Sequence, residues 1–366
     1  MAGRISSAPT TRISDTKKTA RPMAVRSSSS VGSSLGRSMT ATVARPRREP
    51  RRRLTWPADA PRVGLHLGVA RGLLAAARRS RQIGARALQI FSDNPTAWRR
   101  RPEPPSDAAA FVEYAAREGI EVISIHASYL VNLAGSAEPF ASQSRAGLIV
   151  EMQRAPAYGA TLVNTHIGSH RGVGREAGMR RIVDSVRAIL AESPASVQLV
   201  LENSSGGGDL LGSRLEELAA ILEGVGDGAD RLAFCLDTAH LWGAGYDVSS
   251  AEGAAAVIDR FEELIGLHRL PMVHLNDSRS LIGSRTDRHE HVGAGRIGPL
   301  GLGALLRDPR LANATFIMET PGADEGYDAV NLRRAWMLFN GADALPELPP
   351  KAFRLNRRST RVGAPR

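Results

Sequence analysis

The feature that most constrains the fold is a regular alternation of short, β-branched apolar runs with longer amphipathic segments across residues 62–347. Parallel strands joined by crossover helices give this pattern. The strand candidates are RVGLHLG from Arg62, RALQIFS from Arg86, EVISIHA from Glu121, TLVNTHI from Thr161, VQLVLEN from Val197, RLAFCLD from Arg231, PMVHLND from Pro271 and TFIMET from Thr315. Eight such units predict an α/β fold, a single (β/α)8 TIM barrel. A doubly wound open sheet is the weaker alternative, because no second domain is evident.

Both ends of the chain differ in composition from this middle part. Residues 1–61 are rich in Ser, Arg, Thr, Pro and Ala and hold 13 Lys or Arg against 3 Asp or Glu, while residues 348–366 hold 6 basic residues and no acid. Since both ends have few large apolar residues to bury, they are predicted to be disordered basic tails around a barrel domain at 62–347. Three interpretations of the N-terminal tail stay open: a nucleic-acid-binding arm, an organelle transit peptide, or an extension without a role.

The formal net charge of +11 belongs to the tails and not to the barrel. Residues 62–347 hold 29 Lys or Arg against 34 Asp or Glu, a charge of −5. No apolar run approaches the roughly 20 residues of a membrane-spanning helix, and Cys235 is the only cysteine, which excludes an internal disulfide. We expect a soluble, cytoplasmic monomer without a membrane partner, associated with the nucleoid if bacterial, although the N-terminal tail leaves organelle targeting open.

Six successive strand candidates end on a residue that can bind a metal ion. These residues are His126, His166, Glu202, Asp237, His274 and Glu319. Each alone is more often a capping or hydrogen-bonding group, but the carboxyl ends of barrel strands converge on one mouth, where active sites are built. Burying several carboxylates and imidazoles together is costly unless a metal or counter-charge compensates. The pattern therefore predicts a metal site at the mouth.

Two loops add further candidate ligands. His240 follows Asp237 by three residues, and the segment after the seventh strand offers Asp287, His289 and His291. Ligands of the His and carboxylate types without cysteine favour Zn²⁺, Mn²⁺ or Fe²⁺, with zinc as the first choice. The remaining histidines, His66, His170 and His268, are interpreted as structural or supporting groups.

Three segments resemble the signatures of the endonuclease IV family of abasic-site endonucleases, and the resemblance runs from about Val63 to about Asn340. The segments are LENSSGGG around Glu202, CLDTAHLWGAGYD around Asp237 and HLNDSRSLIGSRTDRHEHVGAGRIG from His274. The resemblance implies a zinc-dependent DNA repair hydrolase. Such an enzyme acts on double-stranded DNA and cuts the phosphodiester bond 5′ to an abasic site, which leaves a 3′-hydroxyl.

The resemblance also assigns roles to individual residues. Family members hold three zinc ions with nine ligands, and each ligand has a counterpart in this sequence. With Glu202 bridging the first two ions, the other counterparts are His126 and His166 for one ion, Asp237, His274 and Glu319 for a second, and His240, Asp287 and His289 for the third. Mn²⁺ or Fe²⁺ at some of these positions stays open. Glu202 is the candidate catalytic residue, which positions the attacking hydroxide or accepts its proton.

Two loops occupy the places that family members use to enter the abasic gap. They are SDNPTAW from Ser92 and ASYLVNL from Ala127, so Asn94, Trp98 and Tyr129 are the candidate DNA contacts. For Trp98 and Tyr129 the alternative is that they cover the barrel rim. Thr96 stands where some relatives carry Arg, and the arginines at 99–101 could supply that charge.

Two other functions remain as alternatives. Metal-dependent sugar isomerases and epimerases share this barrel and also place His, Asp and Glu at strand ends, but they usually need fewer ligands. A DNA-binding barrel without catalysis, acting through its basic tails, is the third interpretation, and the full ligand set argues against it.

Overall fold

The computed structural model describes residues 53–101, 103–323 and 325–357, and a closed parallel barrel lies at the centre of this part of the chain. The strands are β1 (Arg62–His66), β2 (Ala87–Phe91), β3 (Val122–His126), β4 (Leu162–His166), β5 (Gln198–Glu202), β6 (Leu232–Asp237), β7 (Met272–His274), β8 (Asp277–Ser278), β9 (His289–Glu290) and β10 (Thr315–Met318). Among the described residues, eight of these strands close the ring in chain order from β1 to β7, then β10 back to β1, while β8 and β9 form a separate antiparallel ribbon. The predicted (β/α)8 TIM barrel is confirmed. Residues 1–52 and 358–366, which make up most of the predicted basic tails, lie outside the described residues.

Helices follow the strands and cover the outside of the barrel, except for a short, largely buried helix directly after β6. They are α1 (Leu73–Ile83), α2 (Ala108–Glu118), α3 (Phe140–Arg154), α4 (Arg175–Glu192), α5 (Leu215–Val225), α6 (Thr238–Ala244), α7 (Ala251–Leu264), α8 (Gly298–Arg307) and α9 (Tyr327–Phe339). In α5, the helical spacing of Leu218, Ile221 and Val225 places all three on the buried face. No helix in the described part of the chain has the length and hydropathy that a membrane span requires.

The strand register brings the carboxyl ends of the strands to one level. His166 on β4 is paired with Glu202 on β5, and Asp237 on β6 is paired with His274 on β7. Side chains alternate between the two faces of a strand, so residues two positions apart share the inner face of the barrel. The strand-end side chains therefore point toward the inside of the mouth.

A small apolar cluster fills the barrel below these side chains. Val200, Cys235, Met272 and Ile317 belong to it, and each precedes a candidate ligand by two residues. A barrel interior of this kind is a packed core and not a pore. Cys235 is fully buried there, and burial raises the pKa of its thiol to about 12. The cysteine is thus part of the packing and not a reactive thiol.

Residues 53–61, which the composition assigns to the N-terminal tail, pack against the barrel where they are described. The indole Nε1 of Trp56 donates to the carbonyl of Gly84 at 3.0 Å, and that of Trp336 donates to the carbonyl of Thr55 at 2.9 Å. Trp56 is buried. Composition alone does not reveal this contact, because few apolar residues make it, Trp56 and Ala60 among them.

Candidate metal centre

Glu202 is the central side chain of the barrel mouth. It ends β5, is fully buried, and has its two carboxylate oxygens facing different imidazoles. Its Oε2 lies 3.7 Å from His126 Nε2 and 3.4 Å from His274 Nδ1, while its Oε1 lies 3.6 Å from His166 Nε2. One carboxylate therefore faces imidazoles from three other strands, β3, β4 and β7.

A first group combines Glu202 with the ends of β3 and β4. One ligand atom each from His126, His166 and Glu202 lies within 4.8 Å of the others. A second group lies on the other side of Glu202 and adds Asp237, His274 and Glu319 within the same limit. These are the two sets that Glu202 was predicted to join.

The remaining three candidate ligands lie at the outer edge of the mouth. An oxygen of Asp287 is 3.2 Å from His240 Nε2, and the other is 3.0 Å from His289 Nε2. His289 Nε2 is also 3.5 Å from Asp237 Oδ2, which connects this group to the second. The group within 4.8 Å consists of Asp237, His240 and His289, so Asp237 adjoins both sets of residues. All nine candidate ligands thus lie in one connected cluster.

The buried polar atoms of this cluster fit cations. Among the described residues, Glu202 Oε1, His274 Nδ1 and His289 Nε2 are buried, and their contacts with the other ligands lack the geometry of a hydrogen bond. A buried polar atom left without a partner costs free energy. Because these atoms face the carboxylates and imidazoles of the same cluster, bound metal ions would satisfy them, and the donor set of nitrogen and oxygen suits zinc.

The electrostatics show how tightly the charges are coupled. Burial raises the pKa of Glu202, but His274 and His166 outweigh it and hold that pKa well below its usual range. Burial lowers the pKa of His289, yet the carboxylates of Asp287 and Asp237 raise it to about 10. Opposite charges therefore stabilise each other in the metal-free cluster, and metal binding must displace protons from the imidazoles.

Side-chain amides orient the candidate ligands from behind. Asn164 Nδ2 donates to Glu202 Oε2 at 2.6 Å, and Gln89 Nε2 donates to Glu319 Oε1 at 2.8 Å. His66 Nδ1 lies 2.7 Å from the same oxygen of Glu319. Supporting hydrogen bonds of this kind fix the geometry of metal ligands. Gln89 and Asn164 were not predicted from the sequence, because only the register of the closed barrel places them against these carboxylates.

His291 and His170 lie apart from this cluster. His291 is buried against Asn331, with 3.0 Å between His291 Nδ1 and Asn331 Nδ2. His170 lies in the loop after β4, with its Nε2 3.8 Å from Asp209 Oδ1. His291 and His170 therefore contact residues outside the candidate ligand set, whereas His66 contacts the candidate ligand Glu319.

The three candidate DNA contacts differ in their surroundings. Tyr129 is 45% exposed, and its ring lies 5.1 Å from that of Phe91 at the mouth. Trp98 is half-buried beside Gly147 of α3. Asn94 is exposed, but its Oδ1 accepts hydrogen bonds from the backbone and side chain of Thr96, at 3.0 and 2.9 Å. Tyr129 is the best placed of the three to meet a ligand.

The arginines beside these residues are also distributed unequally. Arg100 points inward, with its Nη2 2.9 Å from Oε1 of the buried Glu151. Arg101 Nε lies 3.4 Å from Asp93, and Arg99 is exposed. Arg100 therefore anchors the loop, which leaves Arg99 and Arg101 at the surface.

Comparisons with known proteins agree with this geometry. A family model described as a xylose isomerase-like TIM barrel matches residues 77–337. The probable endonuclease 4 of Chloroflexus aurantiacus is 37% identical over 285 residues, which is 77% of this chain and 100% of the relative. That of Halorhodospira halophila is 38% identical over 298 residues, which is 81% of this chain and 100% of the relative.

Among solved structures, one resembles this chain in both sequence and fold, and others resemble it in fold alone. Endonuclease IV from Thermus thermophilus superposes with a TM-score of 0.68 at 39% identity and covers 77% of this chain and 100% of its own. A D-tagatose 3-epimerase-like protein has a TM-score of 0.57 at 15% identity and covers 76% of this chain and 98% of its own, a likeness of fold alone. With its full-length relatives and its clustered His, Asp and Glu side chains, the chain belongs to the endonuclease IV family.

Proposed function

We propose that this protein is a DNA repair endonuclease that hydrolyses the phosphodiester bond 5′ to an abasic site in double-stranded DNA and leaves a 3′-hydroxyl. The observation that carries the proposal is the connected cluster of nine His, Asp and Glu side chains at one barrel mouth, with Glu202 at its centre. Relatives that span the same barrel are named endonuclease 4, which supports the same activity.

The proposed cofactor is Zn²⁺, three ions per chain, with Mn²⁺ or Fe²⁺ possible at some positions. The ligands would be His126 and His166 for one ion, Asp237, His274 and Glu319 for a second, and His240, Asp287 and His289 for the third, with Glu202 between the first two. Bound zinc supplies a Lewis acid that brings the pKa of water to about 7 and stabilises negative charge on a leaving oxygen.

The residues of the chain have distinct tasks in this proposal. Glu202 positions the attacking water and accepts its proton, and Asn164 fixes the orientation of that carboxylate through its hydrogen bond of 2.6 Å. Without cations, the protonated imidazoles only offset the four carboxylates of the cluster, so bound metal ions would supply the positive charge that attracts a phosphodiester. Tyr129, Asn94 and Trp98 would contact the DNA around the lesion.

The test is incubation of the purified protein with a labelled duplex that holds one abasic site, with and without a chelator. We expect a single cut 5′ to the site, a product that a DNA polymerase can extend from its 3′-hydroxyl, and loss of the cut after chelation. Elemental analysis is expected to find three zinc ions per chain. One or two ions together with intact DNA would contradict the proposal and favour a sugar isomerase or epimerase. The monomeric state and the cytoplasmic location stay predictions.

A further inference from the structure

Two large apolar side chains are exposed side by side on a loop of the metal cluster. Leu281 is 62% exposed and Ile282 is 42% exposed. They lie in the β8–β9 loop, residues 279–288, which joins the two strands of the antiparallel ribbon. Single exposed apolar residues are ordinary, whereas these two are adjacent and lie on a loop that also carries the candidate ligand Asp287.

The backbone on both sides of this pair is held in place. The N–H of Gly283 donates to the carbonyl of Trp242 at 2.9 Å, and the N–H of Arg285 donates to the carbonyl of Gly243, also at 2.9 Å. The indole Nε1 of the buried Trp242 donates to the carbonyl of Ser280 at 2.8 Å. The loop is thus fixed to the end of α6, and the apolar pair projects from a rigid base.

Arg285 adds a second anchor. Its Nε donates to the carbonyl of Gly206 at 2.6 Å, which ties the loop to the segment after β5. Its φ of 56° lies in the left-handed region, which an arginine rarely adopts. Such a backbone persists only where surrounding contacts hold it, and it is found most often at functional sites.

The charges of the loop indicate what covers the apolar pair. Arg279, Arg285 and Arg288 flank it. Arg279 Nε lies 3.5 Å from Glu290 Oε2, whereas the exposed Arg288 guanidinium has no side-chain partner in the described part of the chain. The same loop continues into Asp287 and ends at His289, two of the candidate metal ligands. A partner that reaches this loop is therefore anionic, has apolar faces, and lies over the metal cluster. Duplex DNA has all three properties.

We propose that Leu281 and Ile282 form an apolar wedge that presses against a base step beside the lesion in duplex DNA. This inference rests on the proposed function. Apolar side chains of DNA-binding proteins insert at base steps and partly unstack the bases. A missing base lowers the free-energy cost of this unstacking, because its neighbours have already lost one stacking partner. Because the loop is already held in place, binding does not carry the entropy cost of ordering it.

The test compares the wild-type protein with the double variant Leu281→Ala/Ile282→Ala. The probe is a duplex with an abasic site, a phosphorothioate at the bond to be cut, and 2-aminopurine next to the lesion. We expect the double variant to bind about tenfold more weakly and to lose the fluorescence rise that reports unstacking. The slope of log Kd against log salt stays unchanged, because no cation is removed. Leu267→Ala, a half-buried leucine at the opposite end of the barrel, is the matched control.

The outcomes separate the wedge from the proposed function. Absence of abasic-site cleavage by the wild-type protein on an unmodified duplex overturns the proposed function itself. The wedge is overturned when the wild type cleaves but the double variant matches it in affinity and fluorescence. Weaker binding with a shallower salt slope assigns the effect to phosphate contacts and also overturns the wedge. Weaker binding with an unchanged slope and a lost fluorescence rise supports it.

Discussion

The side-chain amide of Asn276 donates a hydrogen bond to the carboxylate of Asp237, with 2.6 Å between Nδ2 and Oδ2. The Oδ1 of the same amide accepts the backbone N–H of Glu319 at 2.8 Å. One buried asparagine after β7 thus connects the ends of the two neighbouring strands. Asp237 and Glu319 belong to the same candidate metal group, so Asn276 orients the carboxylate of one ligand and holds the backbone of the other.

Replacement of Asn276 by Asp keeps the size of the side chain but places a second carboxylate against Asp237. We expect zinc content after dialysis to fall and cleavage of an abasic duplex to drop by about 10- to 100-fold, the usual effect of losing a residue that orients a ligand. Elemental analysis and single-turnover cleavage measure both. Asn313→Asp, at an exposed asparagine before β10, is the control. Wild-type zinc content in Asn276→Asp would contradict this role.

Glu202→Gln tests the centre of the cluster. The amide has nearly the same shape, but it removes the negative charge that faces His126, His166 and His274. We expect the circular dichroism spectrum to stay that of the wild type while cleavage of an abasic duplex falls by several orders of magnitude. Glu223→Gln, an exposed residue of the helix that follows, should keep full activity. Near-normal cleavage by Glu202→Gln would remove this residue from the mechanism.

The barrel and the positions of the candidate ligands could be predicted from the sequence because both depend on local pattern. An apolar run that ends in His166 or Asp237 indicates both that a strand is present and where its carboxyl end lies. The closed topology then brings distant strand ends to one mouth, so no long-range information is needed. The same reasoning placed Asp287 in a loop above it, but the loop expected around His240 was wrong, because His240 lies in α6 directly after β6.

The supporting residues could not be found in this way because their roles depend on register. Gln89 and Asn276 are ordinary polar residues in or after a strand, and only the closed barrel places them against Glu319 and Asp237. His66 was interpreted as structural or supporting, and its contact with Glu319 arises because β1 and β10 are neighbours across the barrel seam. Contacts across a seam join residues that are distant in the chain.

The close approach of β1 and β2 predicts a glycine requirement at Gly64 in β1. A Cβ at this position would lie 2.0 Å from the backbone carbonyl oxygen of Ala87 on β2, a contact that only backbone movement relieves. We expect Gly64→Ala to lower the free energy of unfolding by about 3 kcal/mol or more, measured by urea denaturation. Gly68→Ala is the matched control, since nothing in the described residues lies within 4 Å of its Cβ. Equal stability of the two variants would contradict the argument.

The buried ion pair of Arg100 and Glu151 predicts a pH dependence of stability. The two side chains are 8% and 4% exposed, and burial raises the pKa of Glu151 to about 7, although Arg100 lowers it. Asp93 raises the pKa further, and Arg154 acts in the opposite direction.

Unfolding returns the Glu151 carboxyl to its ordinary pKa of 4.5, so between about pH 4.5 and 7 the folded chain binds more protons than the unfolded chain. The stability must therefore fall as the pH rises through this range, by about 3 kcal/mol from this residue. Urea unfolding at about pH 5 and about pH 7.5 should show a smaller fall for Glu151→Gln than for the wild type. The exposed Glu113→Gln should keep the wild-type difference. The measure is the change in unfolding free energy between the two pH values and not its absolute size, because the substitution also leaves Arg100 without its carboxylate. An identical change in Glu151→Gln and the wild type would show that Glu151 does not titrate in this range.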